Sequence, residues 1–148
     1  SAYYGGIIDT IIMRFIDALL AFPGILLALV VIAVLGPGLT NVMLAVGISS
    51  VPEYARLARG KVLSVMQLEY VEAIHSLGGS NLRIIVKHIL PNISAPITIL
   101  ATLQVGNAIL VGSGLSFLGM GAQPPTPEWG LMTAEGRNFI SQIGRAHV

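Results

Sequence analysis

Two long stretches of the sequence contain no Asp, Glu, Lys or Arg, one from Ala18 to Pro52 and one from Ile89 to Pro127. A transmembrane helix needs only about 20 consecutive apolar residues, so each stretch is long enough to cross a bilayer. Charged residues make up 10% of the chain, whereas they make up about 25% of a typical soluble domain. So few charges would leave the surface of a soluble globule largely uncovered. The sequence therefore predicts an all-α membrane protein.

Turn signals divide the two stretches into three predicted spans. The tripeptide Gly36–Gly38, with a central proline, predicts a turn. It separates a first span at about 14–35, which Pro23 can kink, from a second span at about 39–57. The second span is less uniform because polar residues soon follow its apolar part, and a re-entrant hairpin is the alternative. A third span is predicted at about 89–118.

The region after the third span contains three prolines within the stretch AQPPTPEWG. Proline supplies no amide donor, so we predict an irregular external loop at about 119–131. Trp129 in this loop is typical of an anchor at the membrane surface. A short surface helix is predicted at about 132–141.

The two ends of the chain contribute little to the assignment of function. The chain begins at Ser1 without a signal-peptide pattern, and we expect it to be an internal piece of a longer protein. Residues 142–148, QIGRAHV, resemble one translated frame of a sequencing adapter, although an ordinary polar C-terminus is the alternative. We therefore expect a partial membrane domain over residues 1–141, followed by a non-native tail.

The distribution of basic residues predicts the orientation. Five of them lie at the end of the second span or between it and the third: Arg56, Arg59, Lys61, Arg83 and Lys87. The Gly36–Gly38 turn has none, and the region after the third span has only Arg137 before the suspected tail. Because cytoplasmic loops carry the excess of Lys and Arg, we predict that the loop at about 58–88 is cytoplasmic.

A short amphipathic helix is predicted within this loop. Tyr70, Ala73, Ile74 and Leu77 are spaced to form one apolar stripe of a helix, and Gly78-Gly79 is a typical helix stop. A lone helix of this length is unstable in water, so the stripe needs a partner. A helix lying on the membrane surface would be rich in Lys and Arg, whereas this one carries two glutamates. Packing within the chain and docking to another subunit both remain open.

The segment EAIHSLGGSNLRIIVKHILP resembles the EAA signature of permease subunits in binding-protein-dependent ABC importers. The signature is Glu-Ala-Ala, three residues, Gly, nine residues and Ile-x-Leu-Pro, and the matching positions are Glu72, Ala73, Gly78, Leu90 and Pro91. Ile74 replaces the second alanine, and His88 stands where isoleucine is usual. Further stretches, such as LSFLGMGAQPPTPEWG and YARLARG, are similar to the dipeptide, oligopeptide and nickel branch of the family.

The resemblance implies a type I ABC importer permease fold, here partial, with about three transmembrane helices and a cytoplasmic coupling helix. It implies a bacterial or archaeal plasma membrane protein that crosses the membrane several times. The expected partners are cytoplasmic ATP-binding subunits, a second permease subunit forming a heterodimer, and an extracytoplasmic solute-binding protein. Peptides or similar small solutes are the implied cargo. The residues that it assigns to ATPase coupling are Tyr70, Glu72, Ala73, Ile74, Leu77 and Gly78.

Other functions receive little support from the residues. Gly60-Lys61 is followed by valine instead of the Ser or Thr of a phosphate-binding loop, so ATP hydrolysis is expected on a separate subunit. His75 and His88 lack metal-ligand spacing, there is no cysteine, and a net charge of +1 does not favour nucleic acid. We expect no cofactor and no enzymatic activity. Gln104 and Asn107 are candidates for the solute pathway, and a non-transporting membrane scaffold is the alternative function.

Overall fold

The computed structural model describes residues 1–143, and this part of the chain contains helices and no strands. In chain order the helices are α1 (Gly6–Leu20), α2 (Gly24–Leu35), α3 (Leu39–Met66), α4 (Glu69–Ser76), α5 (Asn81–Ile84), a π-helical segment (Ile85–Ile89), α6 (Leu90–Phe117) and α7 (Trp129–Ile143). The chain forms two compact units. The first unit consists of Ser1–Ala21 and Val51–Gln104, and the second consists of Phe22–Ser50 and the described residues from Val105 onward.

The apolar helices differ in detail from the predicted spans. Within the described residues, the continuous helical stretch Asn81–Phe117 is long and apolar enough to cross a membrane by itself, and α1 with α2 qualifies only as a broken pair. The predicted first span at about 14–35 is thus two helices. Pro23 lies at the N-cap of α2, where its missing amide hydrogen costs no helical hydrogen bond.

Helix α3 is longer than the second predicted span and continues to Met66. It passes through Pro52, a buried residue that cannot donate the usual helical hydrogen bond. One turn earlier, the hydroxyls of Ser49 and Ser50 each donate to the carbonyl of Val46 at 2.9 Å. The helix therefore keeps both serine hydroxyls bonded within its own backbone.

The chain enters α6 through Pro91 without a break in the helix. The π-helical segment comes directly before the proline, and the Leu90 amide donates to the carbonyl of Ile85. Proline cannot donate the usual α-helical hydrogen bond. The wider π turn already departs from the α-helical bonding pattern, so a proline in the following turn is tolerated. The segment 81–89 and α6 consequently form one continuous helical stretch.

The second unit is built around α2, the first half of α3 and the second half of α6. Its buried core consists of Ala28, Ile32, Val42, Ala45, Val46 and Leu115. At the turn between α2 and α3, the Asn41 side chain donates to the carbonyls of Leu35 and Gly36 at 2.9 and 3.0 Å. These bonds satisfy carbonyls that the end of α2 leaves without helical partners. The predicted turn at Gly36–Gly38 therefore has a side-chain cap that closes it.

Glu128 holds the beginning of α7 on α6. Its carboxylate accepts hydrogen bonds from the Leu131 amide at 3.0 Å and from the Ser113 hydroxyl at 3.1 Å. The first bond is a helix N-cap, and the second ties that cap to the neighbouring helix. Helix α7 thus starts at Trp129, earlier than the surface helix predicted at about 132–141. It is described as far as Ile143, whereas residues 144–148 of the predicted tail lie outside the described part.

The Glu128 cap gives the second unit a testable pH dependence. Desolvation raises the pKa of Glu128, but hydrogen bonds from the Leu131 and Gly130 amides and the Ser113 and Ser116 hydroxyls together lower that pKa below its ordinary value. A lowered folded-state pKa contributes stability that is complete above the ordinary pKa of about 4.3 and disappears as the pH falls through the lowered value.

We expect the melting temperature of the purified protein to drop below pH 5 more steeply for the wild type than for Glu128→Gln. The glutamine variant cannot lose a charge, so its curve should lack this contribution while its melting temperature at neutral pH is lower. Thermal melts in detergent from pH 3.5 to pH 7 measure both curves. Parallel curves would contradict the role of the ionised cap.

The first unit packs α4, α5 and the π-helical segment onto the end of α3. Its buried core consists of Val65, Val71, Ile84, Ile89 and Ile93. These residues come from α3, α4, α5, the π-helical segment and α6, so α4 is joined through one core to both long helices. Tyr3 also packs on this core, and its hydroxyl donates to the Asn81 side chain at 2.9 Å.

Candidate functional site

Helix α4 ends in a hydrogen-bonded motif that requires a glycine. The Gly79 amide donates to the carbonyl of Ile74, and the Gly78 amide donates to the carbonyl of His75, both at 3.0 Å. This pair of bonds is the Schellman motif, in which the residue at the Gly78 position adopts the left-handed conformation. Gly78 has φ +81°, which glycine adopts without the strain that a Cβ atom would add. The predicted stop is therefore a defined, rigid turn.

Gly79 is required for a different reason, which the sequence pattern did not indicate. A Cβ atom at Gly79 would lie 2.6 Å from the Cγ2 atom and 2.8 Å from the carbonyl oxygen of Ile74. The backbone after the turn therefore passes directly against the last turn of α4. Gly78 is therefore required for its backbone conformation, and Gly79 is required because there is no room for a side chain.

The two sides of α4 have different environments. Val71 is buried and Ile74 is partly buried against the first-unit core. On the other side, Leu77 is 88% exposed, Tyr70 is 41% exposed, and Ala73 is also exposed. The predicted apolar stripe is thus divided: Ile74 packs within the chain, while Tyr70, Ala73 and Leu77 form an exposed apolar face. We refer to these three residues as the α4 outer face.

Tyr70 is held in place although much of its side chain is exposed. Asn92 donates to the Tyr70 hydroxyl at 3.1 Å and to the carbonyl of His88 at 2.7 Å. The rings of Tyr70 and His88 have their centroids 5.9 Å apart. These contacts connect the α4 outer face to the start of α6, and they give His88, which departs from the family signature, a structural role.

Glu72 is exposed in the first turn of α4, as is Glu69. Two carboxylates in the first turn interact favourably with the positive end of the helix dipole. Exposed carboxylates can also accept charge-assisted hydrogen bonds from a partner, and such bonds are stronger than neutral ones. Glu72 is therefore available to a binding partner beside the α4 outer face.

The candidate pathway residues lie on α6. The Gln104 side chain donates to the carboxylate of Glu53 on α3, a partner that the sequence did not indicate because the two residues lie far apart in the chain. Asn107 is one turn further along α6, in the second unit. Ser113, also on α6, donates a hydrogen bond to Glu128. No cluster of three or more potential metal ligands occurs among the described residues.

Two ion pairs join α1 to α3 in the first unit. Arg59 lies 2.8 Å from Asp9, whose side chain is 7% exposed, and Arg56 lies 2.6 Å from Asp17. Both members of the second pair are more than half exposed. Exposed pairs contribute little to stability, whereas the buried carboxylate of Asp9 would lose its counter-charge if Arg59 were removed. In the sequence these arginines indicate only the orientation, because nothing local pairs them with the acidic residues of α1.

The described residues therefore form a helical protein with an exposed apolar face on a short helix between long helices, one of which is long and apolar enough to cross a membrane. The chain belongs to the family of inner membrane components of binding-protein-dependent transport systems, whose family model matches residues 1–144. Its fold is the type I permease fold of ABC importers, present here in part. The family match confirms the resemblance that the EAA-like segment indicated.

Curated relatives agree with this family. The chain is 50% identical over 135 residues to the glutathione transport system permease protein GsiD of Escherichia coli. Proteins of the same name from Shigella boydii and Shigella sonnei match equally well. Each alignment covers 91% of this chain and 45% of the relative, so the chain spans a little under half the length of the curated relatives that it matches.

Proposed function

We propose that this chain is part of the permease subunit of an ATP-driven importer, and that α4 couples it to a separate ATPase subunit. The observation that carries the proposal is the α4 outer face, on which Leu77 is 88% exposed. An eight-residue helix with an exposed leucine beside two carboxylates is better suited to a protein groove than to water. It is also poorly suited to an anionic membrane surface, which favours Lys and Arg.

The contacts of α4 suggest how force would be transmitted. On its inner side, Val71 and Ile74 belong to the core that contains the ends of α3 and α6. On its C-terminal side, the Gly78 turn limits independent movement of the helix. Closure of two ATPase subunits around ATP would displace α4, and α4 would move both long helices with it. Alternating access requires such a two-state element whose equilibrium a ligand shifts.

We also propose a class of cargo and a set of partner subunits. The relatives are named as glutathione transport permeases, and glutathione is a tripeptide, so we propose peptides or similar small solutes as cargo. The family description names a binding-protein-dependent system, which supports an extracytoplasmic solute-binding protein and cytoplasmic ATP-binding subunits as partners. A second permease subunit would complete a heterodimer in a bacterial or archaeal inner membrane, which the complete subunit would cross several times.

Site-directed crosslinking tests the contact with the ATPase. The chain contains no cysteine, so a cysteine introduced in this region has no local competitor. In a complete transporter with no other cysteine in the permease subunit, we expect Leu77→Cys to crosslink to the ATPase subunit and the yield to change when ATP is bound. Crosslinked bands on a denaturing gel, identified by mass spectrometry, provide the measurement.

Val71→Cys is the matched control, because Val71 lies on the same helix but is 5% exposed in the core of the chain. It should give little crosslinking to the ATPase. Equal yields at positions 71 and 77, or no ATPase among the products of Leu77→Cys, would contradict the proposed coupling contact.

A further inference from the structure

The first half of α1 turns a carboxylate, and not its isoleucines, towards the rest of the first unit. The buried residues of α1 are Asp9 and Ile16. Ile7, Ile8 and Ile11 lie close to Asp9 in the chain, yet they are 79%, 69% and 63% exposed. Within the described part of the chain, the first-unit core contains no residue of α1. The attachment of α1 to this unit therefore depends strongly on polar contacts.

The Asp9 carboxylate is bound by Arg59 of α3. Nε and Nη2 of Arg59 both lie 2.8 Å from Oδ2 of Asp9. A buried charge costs free energy unless an opposite charge and hydrogen bonds compensate it. The Asp9 side chain is 7% exposed, so a rotation or a slide of α1 that removed it from Arg59 would leave an unpaired buried charge. The pair therefore fixes one orientation of α1 on α3.

The residues before α1 are attached to the segment that follows α4. Tyr3 packs on the first-unit core, and its hydroxyl donates to the Asn81 side chain at 2.9 Å. Asn81 is the first residue of α5 and comes five residues after the end of α4. The beginning of α1 is thus attached to α3 through Asp9 and to α5 through Tyr3. Two attachments on different helices prevent α1 from pivoting about either one.

We propose that Asp9 and Arg59 are positioning residues that make α1 move together with α3 and α4 during transport. This inference rests on the proposed function, in which an ATPase subunit displaces α4. Three residues separate the end of α1 from the beginning of α2. A displacement of α1 would therefore reach the beginning of α2 directly through the chain.

A purely stabilising role is the alternative for the pair of Asp9 and Arg59. A buried ion pair often stabilises a fold no better than well-packed apolar side chains of similar volume, and its best-attested use is to fix the register of neighbouring elements. The isoleucines beside Asp9 show that α1 has apolar side chains which the fold leaves exposed. A pair that turns the carboxylate inward is thus better suited to fixing an arrangement than to adding stability.

The first test compares the two ion pairs in the complete transporter in proteoliposomes, with glutathione and trialanine as probes. Asp9→Ala/Arg59→Ala leaves no unpaired charge, so we expect normal insertion but at least a fivefold fall in peptide imported per ATP hydrolysed. Asp17→Ala/Arg56→Ala is the matched control, because this pair joins the same helices at positions more than half exposed. Its ratio should remain within twofold of the wild type.

The ratio of import to hydrolysis separates positioning from stability. If the pair only stabilised the fold, Asp9→Ala/Arg59→Ala would reduce the amount of protein in the membrane and leave the ratio unchanged. That result would overturn the positioning role while leaving the proposed function intact. A wild-type complex that imports neither probe in response to ATP would contradict the proposed function instead.

A distance measurement tests the joint movement without a transported solute. Spin labels are attached through Thr10→Cys on α1 and Glu69→Cys on α4, where both side chains are exposed. We expect the same mean distance between the labels with and without bound ATP, and a distribution at least twice as broad when Asp9→Ala/Arg59→Ala is added. A mean distance that changes on ATP binding would overturn the inference, because α1 would then not follow α4.

Discussion

Gly78→Val is expected to abolish ATP-driven solute uptake by the complete transporter while leaving membrane insertion unchanged. Gly78 has φ +81° and donates the hydrogen bond that closes the end of α4. A left-handed conformation costs roughly 1–2 kcal/mol for an ordinary residue and more for a β-branched one. A helix of eight residues is unstable by itself, so only its contacts with the first-unit core oppose this cost. The turn would open, and Leu77 would leave the position on which the proposed contact with an ATPase subunit depends.

Gly78→Asn is the control at the same position. Asparagine adopts the left-handed conformation more readily than other residues with a side chain, so this variant should retain a large part of the uptake. Uptake into vesicles and the amount of subunit in the membrane fraction are measured for both variants. Equal loss in both variants would indicate that the side chain blocks the partner, and full activity in Gly78→Val would contradict the importance of the turn.

Gly130→Ala is expected to cause a large loss of stability in the second unit. A Cβ atom at this position would lie 2.0 Å from the carbonyl oxygen of Ser113 and 2.9 Å from the backbone nitrogen of Phe117. Both atoms belong to the backbone of α6 and cannot rotate away. Helix α7 would have to separate from α6, and the Glu128 bond to Ser113 would break with it. Overpacking of this kind typically costs about 1–3 kcal/mol, occasionally more.

Gly136→Ala is the matched control because it lies on the same helix, and an added Cβ atom would have no neighbour within 4 Å. Alanine is favoured over glycine in a helix by roughly 1 kcal/mol, so this variant should be as stable as the wild type or more stable. Thermal melts of the purified subunit in detergent compare the two. Similar melting temperatures for both variants would contradict the close contact between α7 and α6.

Several features of the fold followed from local pattern. The turn at Gly36–Gly38, the helix from Glu69 and its stop at Gly78 depend on residues adjacent in the chain, and the structure contains each of them. Pro23 interrupts the first predicted span more completely than a kink, because the new helix starts directly after it. At Pro91 the chain does not break, because the π-helical segment before the proline leads directly into α6. A proline restricts the local hydrogen bonds, but the neighbouring helices determine whether the chain bends.

The candidate site was only partly predictable. The periodicity placed Ile74 with Tyr70, Ala73 and Leu77, but it could not indicate which side of α4 would face the chain's own core. Val71 takes the central inward position because Ile84 and Ile89 lie beside it in the folded protein. The bond between Gln104 and Glu53 was missed for a similar reason, since it joins different helices.

The sequence by itself determined the environment and the family of this protein. Long uncharged stretches require a bilayer, and the EAA-like segment has its characteristic residues at fixed spacing, because both properties depend on composition and short-range order. Only the tertiary structure decided which apolar face of α4 remains free, which carboxylate of α1 is buried against α3, and which carboxylate holds α7. Those outcomes depend on contacts between residues distant in the chain, and the free energy of such contacts is set by neighbours that local patterns do not specify.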